Sequence, residues 1–134
     1  MAKKNPHKTG LEKGNVKMRR KVGRPQIIPD IPMFRKNTAA FVHEMPATAV
    51  SNVDGDGNYV RGQVLTNAGA LDRDKQVALV DKMTGLIATA ANDPELKTRT
   101  WVLLTEAAPG GWGLWGHAQT NDELVKAARA EMGR

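Results

Sequence analysis

The sequence contains no cysteine, few aromatic residues and no long apolar run. The absence of cysteine and the absence of a long apolar run each exclude a class of protein. Without cysteine, the chain forms neither a disulfide nor a cysteine-ligated zinc or redox site. No apolar run approaches the roughly 18 residues that cross a bilayer, and the first residues lack the apolar core of a secretory signal. The 134 residues are enough for one domain. We therefore expect a cytoplasmic protein with no membrane-spanning segment.

Positive charge is concentrated in the first quarter of the chain. Residues 1–36 carry eleven Lys and Arg against two acidic residues, a local net charge of +9, whereas residues 37–134 carry a net charge of −3. Residues 1–26 show no apolar periodicity and contain three glycines and two prolines. This composition predicts a disordered basic arm over 1–26, followed by a folded domain over 27–134.

The basic arm has two interpretations, a solubilising tail or a segment that binds nucleic acid. "RRKVGRPQ" (19–26) resembles half of an AT-hook, but Val22 stands where a second arginine is usual. Residues 1–33 contain no aromatic residue that would stack on bases. Non-specific attraction to nucleic acid requires only positive charge. The candidate contacts are Lys13, Lys17, Arg19, Arg20, Lys21 and Arg24.

Local patterns predict an extended segment and two strands in the first half of the domain. The two prolines of "IIPDIPMF" (27–34) predict an extended segment. "TAAFVHEM" (38–45) and "YVRGQVLT" (59–66) are typical of strands, and "NVDGDGN" (52–58) is typical of a turn.

The second half of the domain carries clearer signals. Asp72 is a candidate helix cap, and an apolar stripe of period 3.6 follows it as far as Ala90. "TWVLLTE" (100–106) predicts a strand that is buried on both faces. Thr120 and Glu123 form a capping-box pattern ahead of a C-terminal helix. Strand, helix and strand over 59–106 predict a β-α-β unit with parallel strands.

The patterns predict no metal site and no cofactor. "DGDGN" (54–58) has the alternating oxygen side chains of a calcium loop, but Tyr59 and Leu65 stand where that loop needs glycine and glutamate. The histidines also lack metal-ligand spacing: His7, His43 and His117. No phosphate-binding glycine loop or nucleophile elbow is present.

All three tryptophans lie within residues 101–115, in a segment rich in glycine. Large rings beside glycines favour a shaped surface, either a cavity wall or a subunit contact. The alternative is that Trp101, Trp112 and Trp115 fill a small core.

Two stretches carry a resemblance to a known family: "GALDRDKQVALVDKMTGLI" and "RTWVLLTEAAPGGWGLWG". Together they resemble the tautomerase superfamily, the 4-oxalocrotonate tautomerase-like proteins, over residues 59–117. The matching positions are Asp72, Lys75, Thr105, Glu106, Gly110, Trp112, Gly113 and Gly116. "AAFVHEMPATAV" further resembles the end of a preceding repeat in two-repeat members. Because residues 1–37 do not resemble a first strand and helix, either the first repeat has decayed or this N-terminus differs from that of the family.

The resemblance implies an α/β fold (α+β sandwich-like), with a β-α-β tautomerase unit, an extra strand, a Gly-rich hairpin and a C-terminal helix. It also implies a homotrimer that catalyses keto–enol proton transfer on a small carboxylate substrate, without metal or organic cofactor. Trp112 would then line the pocket, with Trp115 and Leu114 nearer the subunit interface.

The chain departs from that family at the catalytic amine. Family members use an amino-terminal proline as the proton carrier, whereas removal of Met1 here would expose Ala2. A terminal amine has a pKa of about 8, so modest desolvation suits it to proton transfer. The arginines of small family members align with Trp101 and Ala70. The catalytic candidates are the Ala2 amine and Arg99, and the substrate-binding candidates are Trp101, Trp112, Arg61 and His117; His43 could also reach a pocket. The alternative for the arginines and histidines is a surface or structural role.

Two functions follow from the sequence. One is a small-molecule isomerase that acts on a 2-oxo or enol acid, impaired if the missing proline is essential. The other is a non-catalytic assembly protein of the same fold, whose basic arm binds nucleic acid or another acidic partner.

Overall fold

The computed structural model describes residues 27–134, which form a mixed α/β structure. The basic arm, with Ala2 and its six candidate nucleic-acid contacts, lies outside this range. The helices are α1 (Pro32–Lys36), α2 (Arg73–Ala90) and α3 (Asn121–Glu131), and the strands are β1 (Val60–Asn67), β2 (Thr100–Ala107), β3 (Trp112–Leu114) and β4 (His117–Gln119). Two 3-10 turns span Ala47–Ala49 and Pro94–Arg99. Among residues 27–134, no helix has the length and apolar character that a bilayer crossing requires.

The predicted strand–helix–strand order is confirmed. β1 and β2 pair in parallel, with Val60 opposite Thr100 at one end and Asn67 opposite Ala107 at the other. The connecting helix α2 begins where predicted, because the Asp72 carboxylate accepts a hydrogen bond of 2.9 Å from the backbone N–H of Lys75.

Helix α2 covers only one face of this two-stranded sheet. A Cβ atom built on Gly62 would lie 3.3 Å from Met83 Cε, so the Gly62 side of β1 faces α2. Side chains alternate along a strand, and the exposure of β2 alternates with them. The Trp101 residue is 48% exposed to solvent, and Leu103 is also exposed. The prediction that β2 is buried on both faces is therefore wrong, since a single helix supplies a single covering layer.

The main core cluster joins α1 to α3 and the hairpin. Met33, Leu124 and Ala128 are buried together, and the Met33 N–H donates to Glu131 Oε2 over 3.1 Å. The half-buried residues packed around them are Ile31, Phe34, Trp112, Leu114 and Ala127. The extended conformation predicted for residues 27–34 is wrong from Pro32 onward. Proline is well suited to the first turn of a helix, where its missing N–H costs no hydrogen bond.

Residues 38–45 form no strand, contrary to the prediction. Phe41 and Val42 are 84% and 87% exposed, and β1 and β2 are the only strands in their sheet among residues 27–134. A strand needs a neighbour to pair its backbone N–H and C=O groups, and in the single chain this segment has none. The turn predicted over 52–58 is confirmed by backbone hydrogen bonds between Asn52 and Asp56 and between Gly55 and Asn52.

The glycine-rich segment forms the predicted hairpin. β3 and β4 pair antiparallel around a two-residue loop, Trp115 and Gly116, whose φ angles are 56° and 73°. Such loops need positive φ at both positions, which glycine adopts freely and tryptophan does not. Helix α3 then begins with the predicted capping box, in which Thr120 and Glu123 exchange both bonds.

Candidate functional site

The predicted site residues lie in separate parts of the structure. Arg61 and Trp101 share one sheet face, whereas Trp112 belongs to the core cluster and His117 to β4. Arg99 ends the second 3-10 turn. Only Arg61 and Trp101 are therefore brought together.

The face of β1 and β2 that α2 leaves uncovered is the best candidate surface. We call it the open sheet face. Its residues are Arg61, Gln63, Leu65, Trp101 and Leu103 of the two strands, with Tyr59, which precedes β1 and whose ring lies beside that of Trp101. Arg61 lies opposite Trp101 in the strand register. The Tyr59 and Trp101 rings are 4.9 Å apart between centroids, tilted by 33°. Arg61 Nη2 lies 3.4 Å from Gln63 Oε1.

This arrangement suits a small planar anion with an apolar portion. A guanidinium group binds a carboxylate through two parallel N–H donors. The neighbouring indole and phenol rings offer apolar surface with limited side-chain freedom. Arg61 is exposed and makes no ion pair with any acidic residue in the part of the chain that the structure covers. Its charge is therefore available to a ligand.

Arg99 is held by its own chain. The expectation that Arg99 shares a strand face with Trp101 is wrong, because β2 begins only at Thr100. The guanidinium pairs with Asp93 Oδ2 at 2.6 Å and donates to the backbone carbonyl of Asn58. These bonds tie the start of β2 to the residues that precede β1. Arg99 therefore positions the two strands that carry the open sheet face.

The other two tryptophans have different environments. Trp112 packs against the core cluster, together with Leu114. This environment fits the alternative in which the ring fills a small core. Trp115 lies at the end of the hairpin and is 65% exposed. In the part of the chain that the structure describes, the ring beside that of Trp101 is Tyr59.

His117 and Glu123 belong to the cap of α3. His117 Nε2 lies 3.3 Å from Glu123 Oε1. The backbone N–H and hydroxyl of Thr120, and then His117, hold the pKa of the Glu123 carboxyl below its usual value. The carboxylate that His117 contacts is thus already engaged in holding the helix start. His43 lies in the exposed segment 38–45.

Two other features add nothing to the candidate site within residues 27–134: a concavity along α3, and the side chains of the types that bind metal ions. The concavity has a volume of about 580 Å³, and its lining residues are Asp122, Val125, Lys126, Arg129, Ala130 and Arg134. No predicted site residue lines it. Within residues 27–134, no group of three or more His, Asp or Glu side chains could hold a metal ion.

The sequence patterns missed four members of the open sheet face: Tyr59, Gln63, Leu65 and Leu103. The available signal was the period of two, because residues two before and two after Arg61 share its side of a strand.

Comparisons of the chain with protein family models, with curated proteins and with solved structures find no match. A functional assignment therefore depends on the side chains of the open sheet face.

Proposed function

We propose that this chain is a tautomerase-type isomerase that moves a proton between the keto and enol forms of a small 2-oxo acid. The observation that carries the proposal is the placement of Arg61 opposite Trp101 on the uncovered side of the sheet. The order of parallel strand pair, helix and glycine-rich hairpin agrees with the order that the family resemblance implies. We further propose a cytoplasmic homotrimer.

In this mechanism Arg61 binds the substrate carboxylate and stabilises the negative charge that develops on the enolate. A positioned cation lowers the energy of a developing charge most where water is excluded. Trp101 and Tyr59 would exclude water from one side of the substrate. A neighbouring copy of the chain would cover the other side.

The proton carrier in the proposal is the terminal amine of Ala2, which removal of Met1 exposes. An α-amine has an ordinary pKa of about 8. A cation placed beside such an amine disfavours its charged form and lowers its pKa toward neutrality. In the proposal, Arg61 would supply that cation. Arg99 takes a positioning role in place of the catalytic role that the sequence predicted, because its guanidinium already binds Asp93.

Replacement of Arg61 by alanine tests the proposal directly. With the enol form of phenylpyruvate as substrate, we expect kcat/KM to fall roughly 10- to 100-fold, the value of a lost charged hydrogen bond. The measurement is the ultraviolet absorbance decay of the enol. The matched control is Arg73→Ala, which removes an exposed arginine at the start of α2 and should leave kcat/KM unchanged.

Two outcomes would contradict the isomerase proposal. The first is a rate that does not exceed the buffer-catalysed rate, and the second is a rate that Arg61→Ala leaves unchanged. In the same assay, acetylation of the terminal amine should abolish turnover. Turnover that survives acetylation would remove Ala2 from the mechanism.

The second candidate function is a non-catalytic assembly protein whose basic arm binds nucleic acid. The sequence places a net charge of +9 on residues 1–36, and Arg99 is committed to Asp93 rather than free for a substrate. We expect the full chain to bind duplex DNA with an affinity that falls steeply as salt rises. Deletion of residues 1–26 should abolish this binding in an electrophoretic mobility assay. Binding that persists after the deletion would exclude the arm as the contact.

A further inference from the structure

We propose that residues 38–45 of one copy add as a strand to the β1–β2 sheet of a second copy. We call these eight residues the bridging segment. The proposal concerns association alone and does not depend on any catalytic activity.

The first argument is the incompleteness of the sheet. β1 and β2 are its only strands within residues 27–134, so each has one edge without a strand partner. Edge strands present rows of N–H and C=O groups that can pair with another chain. A two-stranded sheet also buries too little surface to be stable without further cover, and α2 covers one face only. The structure thus offers a docking edge beside an apolar face.

The second argument is the match between the bridging segment and that edge. The segment has eight residues, as do β1 and β2, which corresponds to about 26 Å of extended chain. Phe41 and Met45 would lie on one side of such a strand, with Val42 on the other. Paired beside the sheet, the Phe41 side would extend the apolar surface of the open sheet face. Pro46 follows and ends the strand, since it has no N–H to donate.

The third argument explains why the partner is another copy. Both ends of the bridging segment are anchored in its own chain. On one side, α1 is fixed by Met33 in the core cluster. On the other, Asn52 Nδ2 donates to Asp56 Oδ2 and to the Tyr59 hydroxyl, each over 3.2 Å. Between these anchors Phe41 and Val42 remain almost fully exposed.

The same connection is tightly packed around Gly57. A Cβ atom at this position would lie 2.8 Å from the Val50 carbonyl oxygen and 2.9 Å from that of Ala47. The 3-10 turn at Ala47–Ala49, which follows the bridging segment, is therefore packed closely against the residues that precede β1. The basic arm is a poor alternative occupant, because residues 1–26 contain no aromatic residue and the open sheet face already carries the cation Arg61.

The test uses the full chain and the variant Val42→Pro. Proline removes a backbone donor and is excluded from the interior of a paired strand. In sedimentation equilibrium, we expect the wild type to self-associate and the variant to have a dissociation constant raised roughly tenfold or more. Val42→Thr is the matched control, because it keeps the N–H and the strand preference and should associate as the wild type does. Circular dichroism should show the same helix content in all three proteins.

Hydrogen exchange separates pairing between copies from pairing within one. Amides of residues 38–45 should be protected only at concentrations at which the chain self-associates. Protection in the isolated single chain would mean that the segment pairs with its own sheet. That outcome overturns the proposal, as would a monomer at every concentration or a Val42→Pro variant that associates as tightly as the wild type.

Discussion

Replacement of Leu124 by alanine is expected to lower the free energy of unfolding by about 3 kcal/mol. Leu124 is 6% exposed and lies between Met33 of α1 and the inner side of the hairpin. Within residues 27–134, no large side chain is fully buried, so this cluster has few other contacts to replace those that are lost. The cost includes the transfer of the removed carbons and the cavity that they leave.

The measurement is urea denaturation followed by circular dichroism, at one protein concentration because association stabilises the folded chain. Val125→Ala is the matched control, since the neighbouring valine on α3 is 38% exposed and should cost less than about 1 kcal/mol. Equal losses in the two variants would show that α1 and the hairpin do not pack on α3 in solution.

The elements that the sequence predicted well are those with a local cause. The Asp72 cap, the apolar stripe of α2 and the capping box at Thr120 depend on residues within one or two helical turns. The hairpin at Trp115 is different, because only the family resemblance implied it, although its two-residue loop sets the pairing locally. Each signal acts over a few residues and requires no knowledge of the rest of the chain.

The elements that the sequence predicted wrongly depend on distant neighbours. β2 has the apolar composition of a strand buried on both faces, but the number of covering layers decides its burial. Residues 38–45 have the composition of a strand, but pairing decides whether one forms. Pro32 predicts a break in regular structure, but Met33 is buried against α3 and a short helix forms there.

In the candidate site, by contrast, the wrong placement of Arg99 has a local cause. Arg99 lies two residues before Trp101 and would share its sheet face only if β2 included Arg99. Asp93 instead starts a 3-10 turn by accepting a hydrogen bond from the Glu95 N–H, and Pro94 fits its first position. Asp followed by Pro is a local signal that predicts this turn. Arg61 and Gln63 both lie within β1, so the same count of two correctly places Gln63 on the side of Arg61. Tyr59 precedes β1, and its ring lies beside that of Trp101.

The two sides of the β1–β2 pair differ in how much of their side chains they expose. The open sheet face leaves Trp101 and Leu103 exposed, so it contributes little to the stability of the single chain. The face toward α2 must supply that stability, and it does so through close approach of helix and strand at Gly62. Substitutions on the two sides should therefore have different effects, which the following variants separate.

Replacement of Gly62 by leucine is expected to lower the free energy of unfolding by about 3 kcal/mol. A Cβ atom at this position would already lie 3.3 Å from Met83 Cε and 3.9 Å from Ile87 Cδ1. Leucine adds three further carbons between β1 and α2, and they have no space unless the helix moves away from the sheet. The measurement is again the urea midpoint by circular dichroism.

Two controls define the cause of that loss. Gly62→Ala should stay within about 0.5 kcal/mol of the wild type, because the flexible end of Met83 can move by a few tenths of an ångström. Gln63→Leu places the same leucine on the open sheet face, where its neighbours are exposed, and should also change little. If Gln63→Leu destabilised the chain as much as Gly62→Leu, α2 would not be the layer that covers β1. A loss confined to Gly62→Leu would assign the stability of the strand pair to its contact with α2, and would leave the face that carries Arg61 free for a ligand or a second copy.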